Sequence, residues 1–259
     1  MIRQGNDEAQ TFMTRPSLIQ VFVRSFLIQA SFNYWRMQNL GFAFSMIPVI
    51  RHLSHGQREV SEHVDRHLRR FHTHPCMAPS ILGSVVRIEE TGGSSAGPDA
   101  IALKESLMGP YAALGDPLFW GGLRPLSSVS GVLLVALGMM AAPWCLLGLY
   151  NVPSLWIRWK GFQEGYKRGR WAFEFFQTLD LTRWTAWIRW VVLAVLAMLG
   201  AILAKASLHH EGMFSLPAGY VSVLAFLLAV FWFMRRGVPR FWIPYGMFVL
   251  FLFVQAVVS

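Results

Sequence analysis

Four apolar runs fill the second half of this chain, at roughly 126–150, 188–206, 217–234 and 241–258. Each approaches the ~20 residues that an α-helix needs to cross the hydrocarbon core of a bilayer. Composition points the same way: 54% of the 259 residues are hydrophobic, 14% are charged and 11 are Trp, too apolar for an ordinary soluble domain. Residues 1–124, in contrast, mix apolar and charged positions. The expected fold class is all-α: a polytopic membrane protein with an N-terminal amphipathic helical part, broken or re-entrant segments and several transmembrane helices. Its expected division is a polar tail at 1–15, an amphipathic and re-entrant part at 16–125 and a transmembrane part at 126–259.

The loops between the runs set an expected topology. Residues 158–186 carry Arg158, Lys160, Lys167, Arg168, Arg170 and Arg183 against three acids, 205–216 carry only Lys205 and Glu211, and 235–240 carry three Arg and no acid. The positive-inside rule places the first and third loops in the cytoplasm. The basic segment 51–70 belongs there too, yet a single long apolar run separates it from 158–186. Parity therefore requires one more crossing. Either 126–150 is a hairpin broken at Gly138 and Pro143, or the Gly- and Pro-rich stretch around 105–125 makes a shorter passage; both put discontinuous helices near the midplane, where transporters build substrate sites.

A net charge of +9 does not indicate nucleic acid, because Arg and Lys beside apolar spans orient the chain and meet anionic lipid head groups. Cys76 and Cys145 form no CxxC motif and suggest no disulfide framework. The opening MIRQGNDEAQTFMTRP is polar where a signal peptide is apolar, so an uncleaved start is expected.

Within the first half, Ile19, Phe22, Val23, Phe26, Leu27, Ala30, Phe44, Ile47 and Ile50 recur with helical spacing around a polar block, Asn33–Asn39. Val60, Val64 and Leu68 stripe a charged helix in 51–70. MAPSILGSVV and SLMGPYAALGDPLFWGG are too short and too rich in Gly and Pro to cross as ordinary helices. Glu59, His63 and His67 share a helical face with metal-ligand spacing, but Arg66, Arg69 and Arg70 beside them disfavour a cation. In FHTHPC, Pro75 after His74 describes a turn that opens a new apolar segment. Asp116 in GDP reads either as a cap for a helix starting at Pro117 or as a functional carboxylate at membrane depth. The block NYWRMQN, 33–39, offers amides, a guanidinium and aromatic faces, a mixture suited to a sugar or to an interfacial aromatic belt.

Five blocks then match one family together. RSFLIQASFNYWRMQNLGFAFSMIPVI (24–50), HLRRFHTHPCMAPSILG (67–83), IEE (88–90), LMGPYAALGDPLFWGGLRP (107–125) and NVPSLWIRWKGFQEGYKRG (151–169) closely resemble the IID membrane subunit of mannose/fructose/sorbose-family phosphotransferase systems. The resemblance implies a multi-pass protein of the bacterial inner membrane that pairs with a IIC subunit, forms a trimer of such pairs, and moves a mannose-type hexose inward while cytoplasmic IIB, itself supplied by IIA, phosphorylates it. Phosphorylated residues then belong to IIA and IIB, and this chain contributes no catalytic residue, metal or cofactor. The positions that match the family blocks and are expected to contact the sugar, or to hold the groups that do, are Gln38, Thr73, His74, Glu89, Glu90 and Asp116. His72 and Cys76 depart from the family pattern, which usually has Asn and an aromatic there. A His-cluster membrane metalloenzyme and a non-transporting regulatory scaffold are the alternative readings.

Overall fold

The computed structural model describes residues 15–208, except His55 and 93–95. All named elements there are helical, and the extended contacts are two isolated bridges, Asn33–Met37 and Met37–Phe71. In chain order the α-helices are α1 (Arg15–Arg24), α2 (Asn39–Leu53), α3 (Gln57–His67), α4 (Ala78–Thr91), α5 (Ala96–Gly115), α6 (Arg124–Ala136), α7 (Ala142–Arg168), α8 (Ala172–Thr178) and α9 (Leu181–Leu208). All but the end of α9 fall in one compact unit, Met1–Ala197. The runs 217–234 and 241–258 lie outside the described residues.

The centre is α4, the short segment whose composition excluded a simple crossing. Pro79 sits in its first turn, where no backbone N–H is needed. Twelve of its residues are buried, including Ile81, Leu82, Val85 and Val86. It packs chiefly on α7, and also on α5 and α2. The α4–α7 contact depends on small residues: a Cβ added at Gly83 would lie 2.8 Å from the Tyr166 amide nitrogen, and one at Gly165 would lie 3.0 Å from that of Ser84. Two helix backbones approach this closely only where neither carries a side chain.

The Gly/Pro-rich stretch around 105–125 is not a broken segment. From Ala96 to Ala136 the chain stays helical for 41 residues, and the expected interruption is a π-helical turn, Asp116–Leu123. Pro117 lacks the N–H that an α-turn would use, and widening the turn absorbs the defect without ending the helix. Asp116 therefore caps no new helix, because none starts at Pro117.

The apolar run 126–150 is interrupted at 137–141. Gly138 takes φ 72° and Pro143 occupies the first turn of α7, so α6 and α7 fold against each other as a hairpin. The run 188–206 lies within α9. The helical stretches Ala96–Ala136 and Ala142–Ile202 are long and apolar enough to cross a membrane. Trp156 and Trp159 on α7 and Trp184, Trp187 and Trp190 on α9 are exposed, as expected of surfaces facing lipid or another chain.

Candidate functional site

The polar block 33–39 is a pinned turn. Asn33 and Met37 exchange both backbone hydrogen bonds, at 3.0 and 2.9 Å, and Met37 takes φ 57°, a conformation seldom adopted outside Gly, Asn and Asp. The Gln38 N–H donates to the Phe71 carbonyl at 2.8 Å, which joins the turn to the FHTHPC segment. The side chains complete the join. Gln38 is fully buried: its Nε2 donates to the Thr73 carbonyl at 3.0 Å, and its Oε1 accepts from the Thr73 N–H at 3.1 Å. Thr73 Oγ1 in turn donates to the Met108 carbonyl on α5 at 3.1 Å. Tyr34 and Trp35, both 84% exposed, project from the same turn.

This clamp presents His74. Its imidazole is 2% exposed and stacks on Phe119, with centroids 4.8 Å apart and planes inclined by 11°. Trp120, half exposed, meets it edge-on at 5.5 Å. On the other side, a Cβ at Gly115 would approach the Met77 side chain to 2.8 Å and clash with His74 as well, so glycine makes the room that His74 occupies. His74 Nδ1 accepts from the Cys76 N–H at 3.2 Å, which leaves the proton on Nε2. That buried Nε2 has no hydrogen-bond partner. Burial, reinforced by the charge of Arg158, holds the His74 pKa down to about 4. At neutral pH it is an uncharged donor lacking an acceptor, a costly state for a buried polar atom.

Asp116 begins the π turn that carries Phe119 and Trp120. Its residue is exposed. Gln38, Thr73 and His74 are thus brought together, with the 115–120 segment against them. Cys76 faces Ser154, Arg158 and Tyr150 of α7, and burial pushes its thiol up despite those contacts. His72 is exposed and donates its backbone N–H to Met108 Sδ.

Glu89 and Glu90 are elsewhere, at the far end of α4, about 16 Å along its axis from the first turn. Glu89 accepts from Arg66 Nη1 at 3.0 Å and lies 3.3 Å from His67 Nε2. Burial works to raise its pKa, but the bond from His67 and the charges of His67 and Arg66 outweigh burial and keep it below the usual carboxylate value. Glu90 is buried and hydrogen-bonded with Tyr166. The metal-spaced histidines take separate partners: His63 Nδ1 is 2.9 Å from Ser54 Oγ, and His67 goes to Glu89. Among the described residues, no three His, Cys, Asp or Glu side chains gather as metal ligands. Sequence reasoning missed Phe119, Trp120, Lys104 and Arg158. The two aromatics stand inside the GDPLFW block already singled out, Lys104 is a cation within an apolar helix, and Arg158 stands inside the matching block 151–169, where it counted only toward topology.

A family profile described as "PTS system mannose/fructose/sorbose family IID component" matches residues 13–258. The chain is 39% identical over 161 residues to the mannose-specific EIID component of Escherichia coli K12; that match covers 61% of this chain and 57% of the relative. It is 30% identical to the fructose permease IID component of Bacillus subtilis, covering 94% of this chain and 96% of the relative. Among solved structures, it is similar to one titled "Structure of membrane protein" (TM-score 0.73, 30% identity, 95% and 98% covered). It is also similar to a chain of the mannose transporter ManYZ in complex with microcin E492 (TM-score 0.58, 30% identity, 95% and 97% covered).

Proposed function

The chain belongs to the IID components of the mannose/fructose/sorbose family of phosphotransferase systems, and from that premise we propose that it forms, with a IIC subunit, the channel that binds and translocates a mannose-type hexose while IIB phosphorylates it. Family membership makes it a membrane protein of sugar transport. The proposal extends this to residence in the bacterial inner membrane with several crossings, a cytoplasmic amphipathic α3, and a trimer of IIC–IID pairs.

The observation that carries the site is the unpartnered His74 Nε2–H, buried against Phe119 and Trp120. A sugar presents hydroxyl acceptors and C–H faces, so a donor framed by aromatic rings suits it. Asp116, exposed on the adjoining turn, is able to accept two hydroxyls. Gln38 and Thr73 are positioning residues, because their hydrogen bonds join the two segments behind His74. Glu89 and Glu90 hold α3 and α7 to α4 and act on the sugar only through that frame.

Proteoliposomes containing the chain with its IIC subunit, supplied with phosphorylated IIB, test the reading. Accumulation of labelled mannose-type hexose as its phosphate is expected, with none when either membrane subunit is omitted. Uptake that does not need this chain overturns the assignment.

A further inference from the structure

The α6–α7 hairpin leaves a groove along its length whose two ends differ in chemistry. Towards the open end a cavity of about 280 Å³ is lined by Arg124, Ser127, Ser128, Tyr150 and Asn151. Towards the turn it continues, past the shared Ser128, Leu146 and Leu147, into a stretch of about 580 Å³ lined by residues such as Val132, Val135 and Pro143. The second volume falls in the range of small-molecule sites.

The charge at the polar end is uncompensated. No carboxylate lines either part, and Arg124 takes part in none of the ion pairs formed among the described residues. Arg158, which lines neither part and instead faces Cys76 and stacks on the Phe26 ring at 5.0 Å, adds only longer-range positive charge at the Tyr150 hydroxyl. Beyond Tyr150, α7 runs on into the basic residues Arg158, Lys160, Lys167 and Arg168. The hairpin turn, by contrast, is apolar and carries the exposed Met139, Met140 and Trp144.

We propose that this groove is a site for an anionic phospholipid, with the phosphate at Arg124 and Ser128 and one acyl chain along Val132, Val135 and Leu146. One molecule then satisfies both ends: the phosphodiester meets the guanidinium and hydroxyl donors, and the chain covers apolar surface that no described element covers. Basic pockets between membrane helices select anionic head groups in this way. A zwitterionic lipid matches the apolar stretch equally well but offers less net charge to Arg124. The inference rests on the hairpin's residence in a membrane and not on sugar transport.

The test reconstitutes the full chain into phosphatidylethanolamine vesicles containing a minor share of phosphatidylglycerol, and identifies the lipid retained after gentle extraction by native mass spectrometry. Phosphatidylglycerol is expected to be enriched over its share in the vesicle by roughly fivefold, the scale of one cation–head-group contact. Arg124→Gln is expected to abolish the enrichment and Arg124→Lys to keep most of it. Val135→Trp, at an exposed position that tolerates bulk, is expected to displace the lipid while leaving the charge in place. Retention in vesicle proportions by the parent chain, or unchanged enrichment in Arg124→Gln, overturns the proposal. So does displacement of the phosphatidylglycerol by inorganic phosphate alone, which would mark a free-anion site, or a cross-link placing a helix of another subunit in the groove with lipid excluded.

Discussion

Two buried polar clusters flank α4, and they differ in how their hydrogen bonds close. Around Glu89, Arg66 and His67 both meet the carboxylate, while nearby Lys104, 1% exposed, donates to the Arg66 carbonyl at 3.3 Å and lies 5.0 Å over the Phe42 ring. The ion pairs of that cluster join α3 to α4, and Lys104 touches it from α5. Around His74 the clamp behind the ring is closed by Gln38 and Thr73, yet the ring's own Nε2–H remains open. Conserving shape serves the first cluster and receiving a ligand suits the second. A polar group that its neighbours already satisfy contributes to the frame, whereas a donor left open at a cost of about 1–3 kcal/mol is where a binding role is to be sought.

Glu89→Ala should show the largest effect. It strands a partly buried guanidinium and a buried imidazole, and breaking a buried pair typically costs about 3–5 kcal/mol. Thermal unfolding should shift sharply, and limited proteolysis should cut within 57–70. A variant as stable as the parent would remove the distinction between frame and site.

Next come two substitutions on the His74 side. His74→Phe keeps the ring on Phe119 and removes the N–H, and Asp116→Asn keeps size while removing charge. Each is expected to assemble with IIC and yet weaken sugar affinity by roughly tenfold to a hundredfold, the worth of about 1.5–3 kcal/mol for a hydrogen bond to a charged group and the lower part of that range for His74. Equilibrium binding of labelled hexose measures both. Parental affinity in Asp116→Asn would remove that carboxylate from the site.

The pH dependence of stability sharpens the comparison further. His74 and His67 both have folded pKa values below the ordinary 6.5, in each case chiefly through burial. Below pH 6.5 the unfolded chain therefore binds protons that the folded chain does not, and stability falls with falling pH, for His74 down to about 4. Glu89, held below 4.5, adds a second loss as pH drops through its folded value. Denaturant unfolding between pH 7 and pH 4 should become flatter in His74→Phe, because one of the three contributions from histidines of lowered pKa, those of His63, His67 and His74, disappears.

The smallest effect is expected at Lys104. Its ammonium has a carbonyl and a ring face but no carboxylate within ion-pair distance among the described residues. Replacing a buried charge of this kind by an apolar chain of similar length is often neutral. Lys104→Met should change stability by less than about 1 kcal/mol, measured by the same unfolding assay. A large loss would place Lys104 in the frame alongside Glu89.

The sequence by itself determined the helical class, the membrane, the family and the break between helices at 33–39, because apolar length, polar interruptions and motif order are properties of the chain. It also selected Gln38, Thr73, His74 and Asp116 as a candidate set. Tertiary structure decided what each group faces. From sequence, Glu89 and Glu90 are grouped with the other four, but most of the length of α4 carries them away to Arg66, His67 and Tyr166. The metal-spaced histidines of α3 diverge for a related reason: a shared helical face brings side chains together only when no nearer partner satisfies them first, and Ser54 and Glu89 do so. Asp116 looked like a helix cap because Pro117 removes an N–H, and one chain position does not reveal that a π turn absorbs that loss. Whether a buried imidazole is satisfied depends on atoms 35 to 45 positions away in the chain, such as those of Phe119, and on the room left by Gly115. Such contacts exist only once the helices have packed.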